Sequence, residues 1–393
     1  MSRPTWARWV TRISLFLALV ALVFTVRDIG VRTLAEYFER IGWWWIAVAA
    51  LEIAITSLDA VAIRSFLSPE QERVRLRTAV LSQLAGRAVN AVTPSGNLGE
   101  AVKVSVLVEH VSQSRAVSTI LLYNAISFSV ELLVVAVAVP FVILLVPMPS
   151  LLCWLMIVTC VLSFSIAVLL QVLLRRGALT ILAPIARWSY VRLARLRRRS
   201  YVFPAERYER WQRHLSDVAD KMRASAGARR RDRWLGITAV VTSRLASMSL
   251  SFMILHAVGE AITPGFVAAY TVGGFIIYMT SNLVPMGVGI SEGGNYALFV
   301  ALGENPARGV TLVLARRVTQ IVYAAIGLVL MTASETVQRA RERQRAKASA
   351  SGPPPSSAEV ERRAPDRDDA VTRRLPVAPG AVTDAGAMPP IDR

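Results

Sequence analysis

The feature that most constrains this chain is the length of its apolar runs. Six stretches are long enough to cross a hydrocarbon core of about 30 Å. They are 10–26, 43–63, 117–146, 151–174, 234–256 and 309–332. Two further apolar regions, 78–108 and 264–303, are interrupted near the middle by Gly, Pro and Asn. Because a backbone in lipid must satisfy its own hydrogen bonds, the sequence predicts an all-α integral membrane protein with about six spanning helices.

The distribution of charge predicts the orientation. The chain carries a formal charge of +18, and residues 175–233 hold 17 Lys or Arg against 5 Asp or Glu. Basic connectors stay in the cytoplasm, so this loop and both termini are expected there, in the plasma (inner) membrane. The arginines of the other connectors are consistent with this orientation only if each interrupted region enters and leaves the membrane on the same side, as a re-entrant hairpin. The aromatic residues of the basic loop favour contact with anionic headgroups over nucleic-acid binding.

Two domains follow from this reading. Residues 1–334 form the membrane domain, which includes the basic loop 175–233. Residues 335–393 are rich in proline with nearly balanced charge, so we expect a disordered cytoplasmic tail.

The two interrupted regions share one order of residue types. The first contains Asn90, Pro94, Gly96, Gly99 and Glu100, and the second contains Asn282, Pro285, Gly287, Gly289 and Glu292. Proline and glycine end helices, so each region predicts two short helical arms around a break. We expect Asn97 or Ser291 to cap each second arm. The breaks must be buried in protein or face water, because hydrocarbon cannot pair the freed backbone groups.

The predicted topology places the two hairpins in triplets of opposite orientation, 43–146 and 234–332. Inverted repeats with broken helices near the bilayer midplane are the design of many secondary transporters. A transport pathway is therefore favoured over simple helix kinks.

Ionisable residues inside the apolar runs mark the candidate site. Arg87, Glu100 and Lys103 belong to the first hairpin, and Glu100 and Lys103 have a spacing that allows an ion pair. A role in binding substrate or protons is favoured over internal ion pairing for Glu100, Lys103, Arg244, Glu292 and Arg316. For Asp59 that role and snorkelling near Arg64 are equally favoured. Glu52 and Glu131 are either satisfied packing groups or part of a proton route. The presence of both basic and acidic residues indicates a substrate with an anionic group, which Arg or Lys near helix N-termini would hold.

Over residues 10–332 the sequence resembles the membrane region of the lysylphosphatidylglycerol synthase/flippase family. The resemblance rests on the residues just named around the two breaks, together with Thr93, Leu107, Gly303, Arg316 and Gly327. It implies about eight membrane elements, two of them re-entrant, and the movement of a charged or glycosylated lipid between leaflets. Relatives often carry a Glu-Arg pair and a nearby Asp where this chain has Tyr123-Asn124 and Ser127. Full synthases also append an aminoacyltransferase domain, where this chain has only its tail, so no aminoacylating activity is expected.

The sequence thus predicts a transporter for an anionic or glycosylated lipid, either a phospholipid or a polyprenyl-phosphate-linked lipid, and not an enzyme. A membrane enzyme acting on lipid headgroups and a scaffold recruiting partners through its arginine-rich loop remain the alternatives. The expected partners are membrane lipids and not nucleic acid, and a homo-oligomer is left open. No cofactor or metal is expected. The predicted binding and translocation residues are Arg87, Asn90, Glu100, Lys103, Arg244, Asn282, Glu292 and Arg316. The predicted break residues are Pro94, Gly96, Gly99, Pro285, Gly287 and Gly289.

Overall fold

The regular structure of this protein is helical throughout the part that can be described. The computed structural model describes residues 39, 41–92, 98–147, 149–176, 205–226, 230–282, 289–323, 325–327 and 329, and these form no strand. All of them lie in the unit Met1–Ser334, and a second unit comprises Glu335–Arg393. The helices are α1 (Trp44–Phe66), α2 (Leu76–Val92), α3 (Leu98–Leu107), α4 (Gln113–Leu145), α5 (Ser150–Arg176), α6 (Ala205–Ala226), α7 (Arg230–Ala257), α8 (Pro264–Ser281), α9 (Ile290–Ala301) and α10 (Pro306–Gly327).

Five of the described helices are long and apolar enough to cross a membrane: α1, α4, α5, α7 and α10. They coincide with five of the six predicted spans. The remaining predicted span, 10–26, lies outside the described residues, as does the tail 335–393. An all-α membrane fold is thereby confirmed.

Each interrupted region forms two shorter helices that run antiparallel. In the first region Ser82 of α2 donates to the Lys103 carbonyl of α3 at 3.2 Å, and the Gly99 N–H donates to Asn90 at 2.6 Å. Helices α8 and α9 pack in the same way. At about 1.5 Å per residue, the ten residues of α3 extend about 15 Å, too short to cross the membrane alone.

The break residues divide into two groups. Pro94, Gly96, Pro285 and Gly287 lie outside the described residues. Gly99 is the second residue of α3, and a Cβ there would overlap the carbonyl oxygen of Gly86 and the side chain of Asn90. Gly99 therefore allows α2 and α3 to approach closely.

Gly289 begins the second arm with a left-handed backbone, at a φ of +83°. Its N–H donates to the Glu292 carboxylate at 2.8 Å, so Glu292 reaches back to cap α9. The prediction that Ser291 caps this arm was wrong, because Ser291 lies inside the first turn and its hydroxyl bonds to Glu292. The corresponding residue of the first hairpin, Asn97, lies outside the described residues.

Helices α1 and α7 pack antiparallel at the centre of the molecule. One apolar cluster joins Ile63 and Phe66 of α1 to Val240 of α7, and a second joins Val48 to Ile254. Glu52 and Asp59 of α1 and Arg244 of α7 lie between these clusters. The fold thus places one polar layer between two hydrophobic ones.

Part of the basic loop forms the amphipathic helix α6. Val218 and Met222 are buried in the apolar cluster that contains Phe66, and the Arg115 guanidinium donates to the Lys221 carbonyl at 3.0 Å. The C-terminal half of α6 therefore packs on the protein, chiefly against α4, because its apolar residues recur at helical spacing. The prediction that the loop's aromatic residues rest on headgroups stays a prediction.

Candidate functional site

Ten charged side chains lie well inside the described membrane helices or beside the two hairpin breaks. Half of them are carboxylates and half are cations. The carboxylates are Glu52, Asp59, Glu100, Glu131 and Glu292; the cations are Arg87, Lys103, Arg244, Arg316 and Arg317. Since isolated charges are costly at membrane depth, their partners define the site.

The first-hairpin cluster comprises Asn90, Glu100, Lys103, Tyr123 and Asn124. The Glu100 carboxylate accepts from Lys103 at 2.9 Å, from Asn124 at 2.9 Å and from Asn90 at 3.2 Å. Lys103 is buried and its ammonium lies 5.5 Å from the centre of the Tyr123 ring. The ion pair that the three-residue spacing allows is present, although internal pairing was the less favoured prediction for these two residues. Tyr123 and Asn124 are therefore polar members of the site.

Arg87 forms a second polar group between α2 and α1. Its guanidinium donates to Glu52 at 2.6 Å and to Thr56 at 2.8 Å. The Arg87 guanidinium carbon also lies 5.7 Å from the centre of the Tyr323 ring, and the Tyr323 hydroxyl donates to the Ala49 carbonyl. This group connects the first hairpin to α10.

The Arg244 cluster joins three long helices and comprises Asp59, Tyr123, Glu131, Ser243 and Arg244. Arg244 Nη2 lies 2.8 and 3.0 Å from the two oxygens of Asp59, which also accepts from Ser243 at 2.5 Å. The same guanidinium bonds to the Tyr123 hydroxyl at 3.1 Å and lies 3.6 Å from Glu131. Asp59 is only 3% exposed, so it belongs to this cluster and not to the interface near Arg64.

The second-hairpin cluster is built around Glu292 at the start of α9. Its carboxylate forms an ion pair with Arg317 of α10 and accepts from the Gly289 N–H. Glu100 and Glu292 are each the third residue of their helix, and each is bound by a side chain of the following long helix, Asn124 or Arg317. The two hairpins thus resemble one another in side-chain contacts as well as in sequence.

Arg316 differs from the other four cations in its partners. Its Nη2 donates to the Ser247 carbonyl at 2.8 Å and to the Ser251 hydroxyl at 2.7 Å, both on α7. Its Nε is buried without a hydrogen-bond partner. Among the described residues no carboxylate pairs with Arg316, and the undescribed breaks 93–97 and 283–288 contain no Asp or Glu. Arg316 is therefore the cation that is open to an external anion.

Asn282 lies beside Tyr278 at the end of α8. It is the exposed C-terminal cap of α8, next to the undescribed break. Its predicted role in binding stays a prediction.

Sequence reasoning did not select several members of the site. The sequence leaves the roles of Glu52, Asp59 and Glu131 open, and it does not single out Arg317. Nothing in the sequence alone indicates that the Tyr123 hydroxyl meets Arg244. The sequence did carry one signal for Glu52 and Asp59: their seven-residue spacing places both on one face of α1.

These features define a multi-pass helical membrane protein whose ionisable residues meet between two broken hairpins. Comparison with known families identifies the family. Residues 11–327 match the model of the lysylphosphatidylglycerol synthase TM region, and the chain belongs to that family. No curated protein and no solved structure matches the chain significantly.

Proposed function

We propose that this protein moves an anionic lipid between the leaflets of the plasma membrane, and that Arg316 holds the headgroup. The family is a membrane domain associated with lipid-related functions, and the lipid and the transport role are the proposal. The supporting observation is the partner set of Arg316. Every other cation of the site has a carboxylate within 4.0 Å, whereas among the described residues Arg316 binds only a carbonyl and a hydroxyl.

The chemistry of the guanidinium favours phosphate as the bound group. Arginine binds the oxygens of phosphate with paired N–H donors, and such charge-assisted bonds strengthen where water is excluded. Ser251 and the α7 backbone occupy one terminal nitrogen of Arg316, which leaves Nη1 and Nε for an anion. A lipid phosphate would neutralise this arginine, with which no carboxylate of the described residues pairs.

The orientation of the protein in the membrane is part of the same proposal. The arginine-rich connector between α5 and α7 lies in the cytoplasm, and the two hairpins open towards opposite sides as an inverted repeat. The lipid phosphate then reaches Arg316 between the hairpins from either leaflet.

Reconstitution in liposomes tests the proposal. Purified protein is inserted into vesicles that contain fluorescent phosphatidylglycerol, and a membrane-impermeant reductant reports the fraction exposed outside. Wild type should expose inner-leaflet lipid, and Arg316→Gln should reduce this to the rate of protein-free vesicles. The matched control is Arg213→Gln, because Arg213 is exposed on α6. Equal rates for wild type and Arg316→Gln would overturn the role of Arg316.

Two further arms identify the lipid and exclude the alternative functions. Fluorescent phosphatidylcholine tests whether net negative charge is required, and a polyprenyl phosphate distinguishes a glycolipid carrier from a phospholipid. Chemical change of any of these lipids in detergent would indicate a headgroup enzyme. Activity that depends on residues 175–233 but not on Arg316 would indicate a scaffold.

A further inference from the structure

The charges of the ten ionisable residues of the site sum to zero, but they do not cancel at each place within the site. Three pairs are one-to-one: Arg87 with Glu52, Lys103 with Glu100, and Arg317 with Glu292. The remaining four residues are Asp59, Glu131, Arg244 and Arg316. Their arrangement leaves one negative charge in excess at one place and one positive charge at another.

The excess negative charge belongs to the Arg244 cluster. Arg244 faces two carboxylates, but it binds them unequally. Asp59 accepts at 2.8 and 3.0 Å and takes a further hydrogen bond from Ser243, while Glu131 stays 3.6 Å from the guanidinium. Asp59 alone neutralises Arg244, so Glu131 is the carboxylate whose charge has no full counterpart.

The surroundings of Glu131 contain no second cation among the described residues. Asp59 and Arg244 face it from α1 and α7, and the Tyr278 hydroxyl faces it from α8. The other elements packed on α4 bring different groups. Helix α3 brings Glu100 and Lys103 to Asn124 and Tyr123, α5 brings Cys160 to the Ala136 carbonyl, and α6 brings Lys221 to Ser112. A buried carboxylate in excess is costly to ionise, and a proton removes that cost.

The excess positive charge at Arg316 lies on the same face of α7 as the Arg244 cluster. Arg316 binds Ser247 and Ser251, which follow Arg244 by three and seven residues. Residues at this spacing share one helix face, so the groups on α7 that contact Glu131 and Arg316 lie about 5–10 Å apart along the helix axis. At that separation two unit charges in a protein interior interact strongly enough to change a binding constant about tenfold.

We infer that Glu131 binds a proton when an anionic headgroup binds Arg316, so that lipid movement is coupled to proton movement. The inference rests on the proposed function. With Glu131 ionised and no lipid bound, the negative charge of Glu131 offsets the positive charge of Arg316. An anion on Arg316 removes the positive charge, and one proton on Glu131 restores neutrality. Anion binding therefore favours proton uptake at Glu131, and release of the anion favours release of the proton.

Binding measurements test the coupling without any need for transport. Affinity for short-chain phosphatidylglycerol is measured in detergent across the pH range in which Glu131 titrates. Because linkage is reciprocal, wild type should bind about tenfold more tightly at the low-pH end than at the high-pH end. Proton uptake on lipid addition, followed with a pH dye in weak buffer, should reach at most about half a proton per lipid, which is the maximum that a tenfold linkage allows.

Two substitutions sharpen this test. Glu131→Gln should make the affinity independent of pH and abolish proton uptake, since Gln resembles the protonated carboxyl. The control is Glu304→Gln, which removes a carboxyl in the connector before α10 and should leave the pH dependence of lipid binding intact. If Glu131→Gln fails to fold, the dye measurement on wild type still decides, because no proton uptake would overturn the inference.

Liposome flux separates the two proposals. A pH gradient should accelerate lipid movement by wild type in the direction of proton flow, and Glu131→Gln should not respond to it. Lipid movement with no gradient effect and no proton uptake would overturn the coupling and leave the transport role intact. Linked proton and lipid binding without any lipid movement would support the coupled site and overturn the transport role.

Discussion

Arg244 Nη2 lies 2.8 Å from Asp59 Oδ1, and this ion pair joins α7 to α1 across 185 residues of sequence. Asp59 is almost completely buried and lies in the polar layer between the two apolar clusters of these helices. The pair therefore links the two triplets of the membrane domain at the level of the candidate site.

Loss of Arg244 should destabilise the protein more than loss of Asp59. Arg244→Gln leaves two carboxylates without their cation and should cost about 3–5 kcal/mol, whereas Asp59→Asn leaves Arg244 with Glu131 and should cost less. Unfolding in detergent measures both, with Arg213→Gln expected within about 0.5 kcal/mol of wild type. A larger loss for Asp59→Asn would show that Glu131 does not compensate.

The contact between Gly99 and Gly86 should make the first hairpin intolerant of a methyl group. Gly99→Ala places a Cβ against a backbone carbonyl, so the helices must separate, at a cost of about 1–3 kcal/mol. The matched control is Gly293→Ala in α9, where a Cβ meets nothing within 4 Å and alanine should be neutral or stabilising by up to about 1 kcal/mol. Thermal unfolding in detergent compares them, and similar behaviour of the two variants would contradict the close packing.

Glu304 should make stability fall as the pH rises. A hydrogen bond with Glu260 is the first cause that raises the pKa of Glu304 above its ordinary 4.5, followed by partial burial. The folded protein then binds a proton more tightly than the unfolded chain, so the stabilisation is complete below pH 4.5 and is lost as pH rises through the raised pKa.

Glu304→Gln should remove that part of the pH dependence. Tm measured in detergent from acidic to neutral pH should vary less in the variant than in wild type. An unchanged profile would show that the Glu304 proton does not contribute.

Both ends of the first hairpin should be reached from the same side of the membrane. In a background with Cys153→Ala and Cys160→Ala, the exposed positions Arg75→Cys and Gln113→Cys should both react with an impermeant thiol reagent from the cytoplasm. Asn305→Cys, in the exposed connector after α9, should react from the opposite side. Reaction of Arg75→Cys and Gln113→Cys from opposite sides would exclude a re-entrant hairpin.

The sequence predicted the helical elements well, because each is encoded in a continuous segment. Apolar length alone located α1, α4, α5, α7 and α10, and Pro and Gly located the two regions of shorter helices. The Glu100–Lys103 pair was also predictable, since residues three apart in a helix are neighbours. The capping of α9 was not predictable from the sequence. Ser291 and Glu292 are both suitable caps, and the backbone conformation of Gly289 decides between them.

The sequence by itself determined which charges enter the membrane region and how many of each sign. Only the tertiary structure decided which of them pair. Arg316 and Arg317 are adjacent and identical in chemistry, yet Arg317 binds Glu292 and Arg316 faces Ser247 and Ser251. The physical reason is the helix itself: neighbouring residues point about 100° apart, so the packing around α10 gives one arginine a carboxylate and leaves the other without one.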